Sequence, residues 1–177
     1  MKVFAVALGS RLVGWAVLDG ALRPGRELLS AGVWDLQPTA RTQSPGVRWL
    51  RLRANLDNVL DVSGIRPDVV AYEEVRNHTS RTAGGRPTFN VNAAHAYGAS
   101  EGCLLAWVAA RGLEVVSVPV AEIKRAALGK GGGKGTGKAE VLAAARARWP
   151  HHRFHTDDVA DAGYIGVAAL TLFNQGG

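Results

Sequence analysis

Three apolar runs open the chain. "KVFAVAL" and "VGWAVLDG" are separated by the turn "GSR", and "LLSAGVWDL" follows the Pro24-Gly25 breaker, which predicts three consecutive strands joined as a meander. The period then changes. Trp49, Leu52, Leu56, Val59 and Leu60 recur at helical spacing, so an amphipathic helix is expected over residues 46 to 63, with Arg48, Arg51 and Arg53 flanking its apolar face. "DVVAYEEV", a short apolar run ending in acids, reads as a central strand, and "EVVSVPV" at 114 to 120 as another. Between them the alanine-rich "NAAHAYGASEGCLLAWVAARG" is expected to be a long helix. A last helix starts near "TDDVADAGYIGVAALTLF", where Thr156 or Asp157 can cap the first turn. Strands, a helix, then alternating strands and helices imply an α/β fold, a mixed sheet covered by helices.

Composition narrows the partners. With 177 residues, 47% of them hydrophobic, the chain suits one domain spanning 1–177. Its formal net charge of +6 and sequence pI of about 10.0 attract anions, which points to nucleic acid or anionic membrane. No apolar run approaches the ~20 residues needed to span a bilayer, and no N-terminal segment has a signal-peptide layout. The expectation is a cytoplasmic protein without a membrane partner. The lone cysteine, Cys103, lies in "GCLLAWVAA" and reads as a small core residue. The tryptophans read as core and interface residues.

The stretch "LGKGGGKGTGKAEV" concentrates glycine and lysine. It contains Gly132-x-x-x-x-Gly137-Lys138, the skeleton of a phosphate-cradling P-loop, but Ala139 stands where a magnesium-holding Ser or Thr is needed. The preceding "VAEIKRAALGK" spaces Ile123, Ala126 and Ala127 helically, so the loop is expected to join two helices rather than follow a strand. A flexible linker is the plain alternative. Lys124, Lys130, Lys134 and Lys138 favour a clamp for a nucleic-acid backbone.

Two acidic groups supply candidate chemistry. Asp158 and Asp161 are three apart on a helix and share a face, although capping and the helix dipole account equally well for acids there. "AYEEV" places Glu73 and Glu74 at a strand end, where alternation sends them to opposite faces and leaves one able to meet the aspartates. Hard oxygen ligands of this kind suit Mg2+ or Mn2+ in phosphodiester cleavage. A basic surface around an acidic pocket fits that task.

"VFAVALGSRLVGWAVLDG", "VVAYEEV", "EIKRAALGKGGGKGTGKAEV" and "DDVADA" together resemble, in order and spacing, the RuvC-type Holliday junction resolvases, particularly the phage-like members, within the RNase H-like superfamily. The resemblance covers nearly the whole chain. It implies a five-stranded mixed sheet flanked by helices, and a homodimer that nicks four-way branched DNA symmetrically with Mg2+ (Mn2+ possible). It puts the family's strand glutamate on Glu73 and its final acidic pair on Asp158 and Asp161. Lys124 and Lys138 match basic positions near the scissile region, with Lys130 and Lys134 in the loop between them. The stretch after the strand, 76 to 90, reaches toward the junction centre in that family, which makes Arg76, Arg86 and Phe89 candidates.

One position departs from the pattern. The resembled family carries an aspartate on its first strand, and the matching place in "AVALGSR" is Ala7. Alanine has no oxygen for a metal, so this chain is expected to bind junctions and to cleave them poorly or not at all. A non-catalytic junction-binding protein and an RNase H-like nuclease acting on flaps or structured RNA stay open beside the resolvase reading. His155 lies one helical turn before Asp158, where it could assist proton transfer. Gly98, Ala99 and Gly102 on the long helix are candidates for a dimer contact.

Overall fold

In the computed structural model, which describes residues 1–38, 40, 42–75, 79–81, 87–89, 91–133 and 135–175, the opening meander forms as expected. Strands β1 (Lys2–Ala7), β2 (Leu12–Asp19) and β3 (Leu28–Asp35) run antiparallel in sequence. Helix α1 (Val47–Ser63) follows, then β4 (Val69–Glu74), which pairs parallel with β1. After α2 (Val91–Ala110), β7 (Glu114–Pro119) pairs parallel with β4, giving a five-stranded mixed sheet in the order β3-β2-β1-β4-β7. Helices α3 (Val120–Leu128), α4 (Lys138–Arg148) and α5 (Asp157–Gln175) complete the chain. The expected fold is correct: an α/β five-stranded mixed sheet flanked by helices. One difference lies in the stretch after β4, which contains a short antiparallel pair, β5 (Thr79–Arg81) and β6 (Pro87–Phe89).

Alternation along β1 divides the core into two layers. Phe4, Val6 and Leu8 face α1 and α2, packing with Leu52, Leu56, Leu104 and Trp107. That side is pinned by the Trp107 indole, which donates to Asp57 Oδ1 at 2.8 Å. Val3, Ala5 and Ala7 face the other way, toward α5 with α3 and α4 around it. The α5 interface is built from small residues. A Cβ added to Gly14 would sit 1.9 Å from the Asp158 carbonyl oxygen, and one on Gly166 would sit 2.2 Å from a Leu18 methyl carbon. Helix α5 therefore rides unusually close to β1 and β2, with its first turn over Gly14, the partner of Ala7. The parallel strands β1, β4 and β7 all deliver their carboxyl ends to this same edge, a place where ligands bind in open α/β sheets.

Candidate active site

Glu73 emerges at the end of β4 on the α5 side, because Ala71 two residues earlier is buried in that layer. Asp161 comes from the second turn of α5. Both line one cavity of about 250 Å³, together with Lys124 of α3, Lys138 at the start of α4, and Thr136 in the loop before it. The backbone explains the convergence. Helix α3 starts directly after β7 at Pro119 and puts Lys124 one turn in. It stops at Gly129, whose φ of 73° is costly for other residues and whose amide closes onto the Arg125 carbonyl at 2.8 Å. The glycine loop then turns back, and α4 begins at Lys138. The loop thus joins two helices, as expected, which removes the strand-to-helix geometry of a P-loop.

The pocket is electrostatically tense. Burial pushes the Glu73 carboxyl above its usual range, against the pull of Lys138 and Lys124. Asp161 is pushed up to about 6, first by burial and next by the neighbouring Glu73 charge. Asp158, half-buried one turn earlier, is raised by burial and by Asp157. Lys138 is held charged chiefly by its hydrogen bond to Asp157, whose own carboxyl is lowered by it. Two half-buried acids facing two ammonium groups make a site that favours cations among the acids and phosphate oxygens against the lysines.

Of the residues singled out from sequence, the structure brings Glu73, Asp161, Lys124 and Lys138 together. Asp158 does not line the cavity; it sits beside the Gly14 contact at the base of α5. Glu74 faces the opposite layer, near Tyr72 and Glu101. Lys130 is exposed in the loop and curls toward Gly135. Phe89 belongs to β6, paired with Thr79. Arg76, Arg86 and Lys134 lie outside the described residues. His155 is exposed just before α5 and does not line the cavity. The expected Thr156 cap is absent, since the Thr156 hydroxyl is buried with no hydrogen-bond partner, while Asp157 accepts backbone amides of the first turn.

Ala7 lies where the sequence places it. It is 6% exposed and shares the α5 layer with Ala71. The parallel register pairs Val6 with Tyr72, so Ala7 stands one step on, beside Glu73 and on the same face.

Among the described residues no three acid, histidine or cysteine side chains converge at metal-holding distances, and the methyl group of Ala7 offers no donor. The site as this chain builds it does not fit a multi-carboxylate metal centre.

Three contacts escaped the sequence. The Tyr97 hydroxyl of α2 donates to the Glu73 carbonyl, fixing the end of β4 from the opposite layer. The buried Thr136 hydroxyl donates to the Gly133 carbonyl at 2.8 Å, tying the glycine loop to itself. Lys138 pairs with Asp157 across α4 and α5. Each joins residues remote in sequence or depends on loop geometry, and no periodicity encodes it.

Comparison with known proteins fixes the architecture. The structure of RuvC from Thermus thermophilus superimposes with a TM-score of 0.73 at 22% identity, covering 99% of this chain and 97% of that one. The chain has a RuvC-like fold. A second structure, T. thermophilus RuvC in complex with Holliday junction substrate, matches this RuvC-like chain with a TM-score of 0.74 at 22% identity, covering 99% and 96% of the two chains. No family model and no curated protein matches the sequence.

Proposed function

We propose that this RuvC-like protein acts on four-way branched DNA, as a structure-selective nuclease of the resolvase type whose carboxylate set is one member short at Ala7. The observation that carries this reading is the convergence of Glu73 and Asp161 with Lys124 and Lys138 in one cavity at the carboxyl ends of the parallel strands. The lysines receive phosphate oxygens, and their ammonium groups offset the repulsion between the DNA backbone and the acids. The +6 net charge brings DNA to the surface. The match to RuvC bound to a Holliday junction supports branched DNA as the substrate class.

The residues of this chain bind and orient the phosphodiester, and the missing oxygen at position 7 leaves the cutting step impaired. The resemblance to resolvases implies Mg2+ or Mn2+ and a homodimer, for which the exposed Gly98, Ala99 and Gly102 offer a surface of close approach. Among the described residues no helix is long and apolar enough to cross a membrane.

A second reading has its own observation. Ala7 also fits a protein that binds junctions without cutting them. Cleavage of a labelled four-way junction with magnesium, comparing the chain as given with Ala7→Asp and using duplex and flap controls, separates the two. Paired nicks from the Asp variant alone support a resolvase lacking one ligand. Tight binding with no cleavage by either form supports the binding protein, and preferred cleavage of flaps or structured RNA overturns the junction assignment.

A further inference from the structure

The end of the molecule opposite the acidic cavity carries a second basic site. The turn joining β2 to β3 lies beside the start of β1, where the Gly20 amide donates to the Met1 carbonyl at 2.9 Å. The carboxyl end of α4 meets this turn. Between them is a groove of about 370 Å³ lined by Arg23, Arg26, Arg148 and His151, with no acid among the described residues that line it.

The site is built rather than scattered. Arg148 is held from beneath by Glu27, whose carboxylate is 3% exposed and accepts from the Arg148 Nε at 2.6 Å. The Arg148 guanidinium also lies 5.4 Å from the centre of the Trp149 ring. A buried acid and an aromatic face therefore fix the cation that forms the groove floor. Arg23 and Arg26 are exposed at its lip. Glu27 balances the Arg148 charge, which leaves the exposed Arg23 and Arg26 as the excess positive charge beside the fixed guanidinium, and an anion bound there relieves their repulsion.

Helix α4 connects this groove to the acidic cavity. It starts at Lys138, one of the cavity residues, and ends at Arg148. Its exposed residues between the two include Ala139, Ala143, Arg146 and Ala147, with Glu140 the single acid among them. Small side chains allow a sugar-phosphate backbone to come close. The six residues of β1 span about 20 Å, and the eleven of α4 about 16 Å. At 3.4 Å per base pair, phosphates roughly five to six base pairs from a strand held at the cavity reach the groove.

We propose that the Arg23, Arg26 and Arg148 groove binds the phosphodiester backbone of a duplex arm, so that one arm of the DNA runs along α4 from the cavity to the β2–β3 turn. The inference rests on the DNA-binding reading above and adds a second contact to it.

The test uses fluorescence anisotropy with EDTA present, so that binding is read without cleavage. One labelled four-way junction has ordinary phosphates; its twin carries uncharged methylphosphonates about five to six base pairs from the branch point. The chain as given is compared with the double variant Arg23→Ala/Arg26→Ala, both positions being exposed on a turn and remote from the core. Arg148 is left intact because its removal strands Glu27. On the ordinary junction the double variant is expected to bind more weakly, with the slope of log affinity against log salt reduced by about two. Methylphosphonates should weaken the unaltered chain similarly, and the variant should lose nothing further on them, the non-additivity expected of a shared contact. Arg23→Lys/Arg26→Lys should retain most of the slope. Unchanged binding by the double variant, or losses that add in full, overturns the groove assignment while leaving the cavity reading standing. Failure of the unaltered chain to bind any junction overturns the DNA reading itself.

Discussion

The Lys138 ammonium forms an ion pair with Asp157, joining the first residue of α4 to the first of α5 at the mouth of the acidic cavity. On the proposed DNA-binding reading, Asp157 competes with phosphate for a lysine that lines the cavity. Because Lys138 is largely exposed, the pair stabilises the fold by less than about 1 kcal/mol. Asp157→Ala is expected to lower the melting temperature by about 2 to 4 °C, since the first turn of α5 also loses an acceptor for its amides, and to tighten junction binding several-fold at low salt, with the gain fading as salt screens it. Weaker binding in an anisotropy titration would show instead that Asp157 positions the lysine for its phosphate.

Asp161 gives a pH signature. Its carboxyl is raised from 3.8 to about 6 by burial and by Glu73, so the folded state holds a proton that the unfolded state releases between those values. Stability from this group is thus greatest at low pH, falls as pH rises from about 4 to about 6, and is level above. Asp161→Asn is expected to gain roughly 2 to 3 kcal/mol at pH 8 and nothing near pH 4, measured by urea unfolding in metal-free buffer. An equal gain at both pH values would assign the effect to packing rather than to charge.

Gly14 is where the sheet accepts α5. A Cβ there would lie 1.9 Å from the Asp158 carbonyl oxygen and 2.4 Å from its carbon, both backbone atoms that cannot swing aside. Gly14→Ala must lift the first turn of α5 or bend β2, at a cost of about 1 to 3 kcal/mol or more. Loss of stability together with loss of junction binding, read by denaturation and anisotropy, is the expected result. A variant as stable as the parent would mean that the turn shifts at little cost.

Much of this arrangement is legible in the sequence. The first three strands, β4, β7 and the helices all announce themselves through apolar runs, helical spacing and turn residues, because each buries a continuous face. The site acids are legible in part: strand alternation puts one of Glu73 and Glu74 on the α5 side without saying which, the resemblance points to Glu73, and helical spacing puts Asp158 and Asp161 on one face. Asp158 shows the limit. Its spacing from Asp161 puts both on one helix face, and its charge acts on Asp161 and on Lys138, but the contact of its backbone with Gly14, 144 positions away, leaves no local pattern. The Tyr97 hydroxyl on the Glu73 carbonyl is hidden likewise, since it crosses from one layer to the other at the sheet's end. The β5–β6 pair escaped because its runs are short and polar.

Arg148 and Glu27 allow the basic groove to be dissected from the fold. Glu27 is nearly fully buried, its Oε1 accepts from Arg148 at 2.6 Å, and its Oε2 has no partner. Arg148→Ala removes the cation that pairs with this carboxylate, and leaving a buried charge unpaired costs about 3 to 5 kcal/mol. Arg148→Ala/Glu27→Gln removes the charge as well, so most of that loss should return, the remainder reflecting the guanidinium's contact with Trp149. Guanidinium unfolding at neutral pH measures both variants. If the double variant is no more stable than the single one, the arginine contributes through packing on Trp149, and the buried pair is then a scaffold for the groove rather than an electrostatic necessity of the fold.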